Sequence, residues 1–127
     1  MHRDANHAAY VEGGELFKQG RFGDAAKHFR LAAGEWPEDW QAYWALGNCY
    51  SEMKKPRKAE ESFREAIMHA PKADVPSLYF NLGNALLDQG KYKEAIEAYG
   101  EIPSGHSLAG SVRRNVSLIK ERMKNGT

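Results

Sequence analysis

The stretch Trp40-Gln41-Ala42-Tyr43-Trp44-Ala45-Leu46-Gly47-Asn48-Cys49-Tyr50, continued by Ala59, Phe63, Ala66 and Pro71, decides the fold. With Trp40 as position 1, Tyr43, Leu46, Gly47 and Tyr50 take positions 4, 7, 8 and 11, the i, i+3, i+4, i+7 spacing of one helix face. Ala59, Phe63 and Ala66 take positions 20, 24 and 27 and make the same face on a second helix. Gly47 and Ala59 are small where the two helices would cross, which lets their backbones approach. Pro71 ends the second helix, because proline lacks the N–H donor and clashes with the preceding turn. A single hairpin of this kind cannot bury its own apolar face, so the flanking sequence is expected to repeat it.

The flanking sequence does repeat it. An earlier copy fits residues 6–39, with Ala25, Phe29, Ala32 and Pro37 at positions 20, 24, 27 and 32, although Glu12 stands where position 7 is usually apolar and Gly13-Gly14 weakens the first helix. A later copy fits residues 76–109, with Tyr79, Leu82, Gly83, Leu86, Gly90, Tyr92, Ala95 and Tyr99 in register. Ala25 to Ala59 is 34 residues and Ala59 to Ala95 is 36, so two residues are inserted near Asp74-Val75. In the middle copy Pro56 replaces the aromatic carried at position 17 by Phe22 and Tyr92, which predicts a looser corner. The last second helix is predicted to end early, at Gly100 and Pro103. Leu108, Val112, Val116, Ile119 and Met123 then form an apolar stripe over a terminal helix at about residues 107–123. The expected core is Trp40, Tyr43, Leu46, Gly47, Tyr50, Ala59, Phe63 and Ala66 in the middle copy, with Leu82, Gly83, Leu86, Ala95 and Tyr99 in the last. Residues 1–5 are polar and expected to fray.

This pattern and its period resemble the tetratricopeptide repeat. The resemblance implies an all-α fold: a right-handed alpha-alpha superhelix of three helix-turn-helix repeats closed by a C-terminal capping helix, in one domain spanning residues 1–127. It also implies a non-enzymatic protein-protein interaction module that binds a peptide or protein segment on its concave side.

Composition narrows the function classes. Lys and Arg number 18 against 17 Asp and Glu, a formal net charge of +1, so the total gives no general attraction to nucleic acid or to an anionic membrane. From Ser104 onward there are five basic residues against one acidic, making this the basic part of an otherwise acidic chain. Cys49 is the single cysteine, which excludes an internal disulfide and a cysteine-based zinc site. No His or Lys lies one turn from it, so it reads as a small buried apolar residue rather than a reactive thiol. With no apolar run of signal or membrane-span length, a soluble cytoplasmic protein is expected.

No catalytic or cofactor constellation emerges. The five histidines lack metal-ligand spacing, and phosphate-cradling glycine loops and Gly-x-Ser-x-Gly are absent. Glu60, Glu61 and Glu65, beside Lys58 and Arg64, read as a solvated helix face. Asn115-Val116-Ser117 and Asn125-Gly126-Thr127 match the glycosylation sequon by chance. No enzyme, cofactor or metal is therefore expected.

The remaining signal is a surface. In the family the resemblance points to, ligand-facing side chains come mainly from positions 2, 5, 6, 9, 12 and 13. Carried over, these include Tyr10, Phe17, Trp44, Asn48, Phe80, Asn81 and Asn84, and a continued register adds Arg113 and Arg114 at positions 5 and 6 of the last helix. Aromatic side chains anchor a peptide, amides pair with its backbone, and arginine grips a carboxylate in two-point fashion. The expected ligand is a protein segment with an acidic or carboxylate-bearing end. The family's carboxylate-clamp class is matched only in part, because Tyr10 and Gly14 stand where it carries Lys and Asn. A monomer is expected, with self-assembly through the end repeats as the alternative.

Overall fold

The computed structural model describes residues 7–126; the expectation for residues 1–5 lies outside them. The described residues form seven α-helices and no strand. They cluster into two compact units that divide between Ala70 and Pro71, next to the two-residue insertion.

The first unit contains α1 (His7–Lys18), α2 (Phe22–Glu35), α3 (Trp40–Glu52) and α4 (Pro56–His69). Asp39 caps α3 by accepting from the Gln41 N–H at 3.1 Å. Pro56 starts α4, where its missing donor is unneeded. The core of this unit is made of small side chains around two rings: Ala25, Ala26, Phe29, Ala42, Ala59, Phe63 and Ala66 are all at most 3% exposed. The second unit holds a 3-10 turn at Lys72–Asp74, then α5 (Val75–Asp88), α6 (Tyr92–Tyr99) and α7 (Ala109–Lys124). Leu78, Leu82, Leu86, Ala95, Tyr99 and Ile119 are its buried centre. As expected, α6 ends early: it has 8 residues where α2 and α4 each have 14.

One contact recurs in every hairpin. A Cβ placed on Gly47 would lie 2.5 Å from Phe63 Cε1, one on Gly83 would lie 2.5 Å from Tyr99 Cε1, and one on Gly13 would lie 2.8 Å from Phe29 Cε1. The glycine of each first helix is thus the seat for a ring sixteen residues later. The close approach at Gly47 is to Phe63 rather than to Ala59. The same contact fixes the register of the first repeat, where Gly13 is seated on Phe29, Glu12 points to solvent, and α1 continues unbroken through Gly13-Gly14.

Four expectations need correction. Trp40 and Tyr43 are half-buried, because both lie in the first turn of α3: Trp40 leans on Trp44 with ring centres 6.4 Å apart, and Tyr43 stacks on His69 at 6.3 Å. Glu60 is buried rather than solvated and accepts from Arg64 Nε at 2.9 Å. Met123 is 42% exposed, so the stripe on α7 is anchored by Ala109 and Ile119. The corner after α3 closes like the others: Lys55 N–H reaches the Tyr50 carbonyl at 2.8 Å, as Arg21 reaches Leu16 and Lys91 reaches Leu86, both at 2.9 Å. The difference there is that Lys54 adopts φ 61°, where Gly20 and Gly90 adopt 78° and 76°.

These turns and seats can be tested by substitution. Lys54→Gly relieves a left-handed conformation worth roughly 1–2 kcal/mol, offset in part by glycine's greater unfolded-state freedom, so the urea midpoint is expected to rise modestly. Glycine to alanine within a helix normally stabilises by roughly 0.5–1 kcal/mol, and Gly14→Ala, with no atom within 4 Å of the new Cβ, is expected to do so. Gly47→Ala meets the Phe63 ring instead and is expected to lose roughly 1–3 kcal/mol, with much of the loss recovered in Gly47→Ala/Phe63→Leu. Equal urea midpoints for the Gly14 and Gly47 variants would remove the steric explanation.

Candidate functional site

Four of the nine site residues read from the sequence meet in the first unit. Tyr10 and Phe17 on α1, about two turns apart, face Trp44 and Asn48, about one turn apart on α3. Together they wall a cavity of about 230 Å3. Gly14 and Ala45 keep it open by being small, Phe29 of α2 backs it, and Lys18 stands at its edge. The walls are held by their neighbours: Tyr10 packs edge-on against Phe29 with ring centres 5.5 Å apart, and Phe17 against Phe22 at 4.9 Å. Trp44 is half-buried, with its ring tilted at 50° to that of Trp40. The cavity is largely apolar, with Asn48 and Lys18 as its polar lining residues; the Lys18 ammonium pairs with Glu15 at 3.4 Å. Such a site accepts one bulky apolar side chain and orients it through a hydrogen bond.

The other five lie in the second unit and do not form one site. Phe80 is half-buried against Tyr99, ring centres 5.9 Å apart, and Asn81 is half-buried on the same helix. Asn84 is committed internally: its Oδ1 accepts from the Tyr99 hydroxyl at 2.5 Å and from Asn115 Nδ2 at 3.2 Å, and the same Nδ2 lies 3.1 Å from the Tyr99 oxygen. This triangle joins α5, α6 and α7. In the sequence Asn115 stands out only as part of a sequon; its neighbours depend on the length of the 100–108 connection, which no periodicity reports. Burial holds the Tyr99 hydroxyl well above the usual tyrosine range, at about 12; the Asn115 bond lowers it and the Asp88 carboxylate raises it.

Arg113 and Arg114 are exposed, and both guanidinium groups reach within 3.8 Å of the point that a Gly110 Cβ would occupy. Arg114 Nη2 donates to Ser111 Oγ at 2.9 Å. Arg113 also borders a second cavity, of about 340 Å3, between α6 and α7. Cys49 is fully buried and its thiol is pushed up to about 11 by burial, as for an inert packed residue. Among the described residues no group of three or more His, Cys, Asp or Glu is arranged to hold a metal ion. No described helix is long and apolar enough to cross a membrane.

Two tetratricopeptide repeat profiles match the sequence, one over residues 16–79 and one over 76–102. The chain belongs to the tetratricopeptide repeat family. It is 28% identical over 79 residues to the general transcriptional corepressor trfA of Dictyostelium discoideum; that alignment takes in 62% of this chain and 6% of that protein. Solved structures with this fold include the Yersinia enterocolitica type III secretion chaperone SycD in complex with a peptide of the translocator YopD, at TM-score 0.81 and 20% identity, over 94% of this chain and 95% of that one. The second such domain of human RPAP3, in complex with the HSP70 peptide SGPTIEEVD, also superposes at 0.81, with 18% identity over 94% of this chain and 98% of that one. At these identities the likeness establishes the fold.

The Tyr99 triangle gives a prediction with a pH signature. The folded state holds the hydroxyl protonated, so its contribution is fully present below pH 10 and is lost as pH rises through about 12, a loss of roughly 2–3 kcal/mol from this group. Tyr99→Phe is expected to cost about 1–2 kcal/mol at neutral pH, because Asn84 and Asn115 lose a partner, and to flatten the alkaline loss in urea unfolding. Cys49 and Tyr43, whose values are also raised by burial, add to the alkaline sensitivity that remains. An alkaline profile identical in wild type and Tyr99→Phe would refute the assignment.

Proposed function

We propose that the chain is a non-catalytic interaction module that binds a segment of another protein, taking a bulky apolar side chain of that segment into the Tyr10–Phe17–Trp44–Asn48 cavity. The observation that carries this is the half-exposed Trp44 indole facing Tyr10 and Phe17 across a cavity lined with small residues, within a fold whose similar solved structures include complexes with peptides. A core would have closed such a gap, since protein interiors are packed to crystal density. Asn48 is placed to pair with the backbone of an extended segment as its side chain enters.

The preferred segment carries acidic residues or a free carboxylate. Lys18, which borders the cavity and pairs with Glu15 at 3.4 Å, supports this. In the second unit Arg113 and Arg114, side by side over Gly110, support a carboxylate site of that unit's own. Arginine suits the task because its planar fork matches a carboxylate at two points.

Titration of Trp44 fluorescence, in a Trp36→Phe/Trp40→Phe background, with peptides holding one Leu or Phe among acidic residues tests the reading. Trp44→Ala, followed by amide NMR instead, is expected to weaken binding more than tenfold, as is Phe17→Ala, with helical content retained. Acidic peptides are also expected to shift the Arg113 and Arg114 side-chain NMR resonances, and Arg113→Glu/Arg114→Glu is expected to abolish binding at that site while leaving the Trp44 titration unchanged. Peptide binding that survives Trp44→Ala at full affinity would move the site elsewhere.

A further inference from the structure

The turn between α3 and α4 departs from the other two hairpin turns at two places where those agree, and both departures add positive charge. Aligned on the buried Ala25, Ala59 and Ala95, the turns read Gly20-Arg21-Phe22-Gly23-Asp24, Lys54-Lys55-Pro56-Arg57-Lys58 and Gly90-Lys91-Tyr92-Lys93-Glu94. Lys54 takes the left-handed conformation that glycine takes in the other two. Lys58 stands where they carry Asp24 and Glu94, and α4 has no acid in its first turn.

Both departures work against folding. A lysine at φ 61° is strained relative to glycine, and cations in the first turn of a helix oppose its dipole. Lys54, Lys55, Arg57 and Lys58 are all exposed, and none is ion-paired with another described residue, Glu61 one turn further on included. The α1–α2 turn, whose Gly23 lies near Met53, is by contrast electrically closed, with Arg21 Nη2 2.7 Å from Asp24 Oδ2. A fifth cation joins the four across the buried Tyr50: Lys58 Nζ lies 5.6 Å from the centre of that ring, and Arg30 of α2 donates to its hydroxyl at 3.0 Å. Local costs of this kind persist where a site is kept for something other than stability.

The rest of the unit selects the occupant. Apart from these five cations, residues 7–70 hold four basic side chains against ten acidic ones. Duplex nucleic acid or an anionic bilayer presents its charge over a wide area and is repelled by that acidic surround, whereas a short acidic segment touches the turn alone. The turn itself carries no aromatic side chain on which an unpaired base could stack.

We propose that the α3–α4 turn is a docking surface for a short acidic segment of a partner protein, whose carboxylates lie against Lys54, Lys55, Arg57, Lys58 and Arg30. The five take repeat positions 15, 16, 18, 19 and 25, outside the positions that supply most ligand-facing side chains in the family. None of them lines the Trp44 cavity or belongs to the second unit, so this surface is independent of the binding sites proposed above.

The probe is a synthetic eight-residue peptide of Asp, Glu, Ser and Gly, acetylated and amidated at its ends, with no bulky side chain for the Trp44 cavity. Amide NMR on the full chain at low salt is expected to show saturable shifts at residues 53–58 that weaken as salt is added, and none with a peptide carrying Lys for every acid. Lys54→Gly/Lys58→Glu restores the pattern of the other two turns. It is expected to leave the urea midpoint at or above that of the wild type while weakening the peptide at this turn at least tenfold, a split that a merely structural role does not give. Lys55→Gln/Arg57→Gln is expected to weaken it at least threefold with unchanged circular dichroism. The proposal is overturned if the shifts are absent at millimolar peptide or confined to Arg113 and Arg114, or if Lys54→Gly/Lys58→Glu binds as tightly as the wild type. It is equally overturned if a duplex DNA oligonucleotide or phosphatidylserine vesicles bind this turn more tightly than the peptide at equal anionic charge.

Discussion

The contact on which both units depend is between a glycine in a first helix and an aromatic ring in the second. With 2.5–2.8 Å between the would-be Cβ and the ring carbons, no other residue fits at Gly13, Gly47 or Gly83 without displacement. The consequences spread outward from that contact. A ring seated against bare backbone brings the two helices close, and at close range only small residues pack between them, so Ala25, Ala59 and Ala95 are each fully buried. The alanine-rich interior is therefore a result of the glycine seats. It also explains why glycine is kept inside three helices in spite of a propensity penalty of roughly 1 kcal/mol at each.

In the last hairpin the ring is a tyrosine, and that single oxygen alters the packing around it. A buried hydroxyl without a partner is strongly destabilising, and here the partners are Asn84 and Asn115. Phe29 and Phe63 make no such demand. The hydroxyl thereby ties α7 to the α5–α6 hairpin through directional bonds, compensating for an apolar stripe in which only Ile119 is completely buried. It also engages Asn84, an amide otherwise well placed for a ligand.

Helix order, the glycine and aromatic positions and the early end of α6 were all legible in the sequence, because each is fixed by contacts within one hairpin, where 3.6-residue periodicity reports the geometry. Tyr10, Phe17, Trp44 and Asn48 were legible as a group for the same reason: they lie on two neighbouring first helices of regular repeats. What could not be read depends on irregular chain. The connection at 100–108 sets the rotation of α7, so Arg113 borders the α6–α7 cavity and Asn115 faces α5. Tyr43 and Trp40 fit the repeat pattern yet stay half-buried, since a pattern position at the first turn of a helix has little packed beyond it. Glu60 reads as surface by charge, but its partner Arg64 one turn away allows its burial.

Under the proposed function, shape and charge would contribute to recognition in different ways. Filling an apolar cavity with one Leu or Phe side chain yields about 1.5–3 kcal/mol, largely independent of salt. An exposed carboxylate on an exposed arginine yields about 0–1 kcal/mol and is screened by salt. Under the proposed function, affinity at the Trp44 cavity would therefore be governed by shape, with wide tolerance of different sequences, because any bulky apolar side chain gains a similar amount. Under the same reading, preference for an acidic segment would fall to Arg113 and Arg114, which gain little from a carboxylate in water but gain more when an anchored apolar neighbour excludes water from the pair.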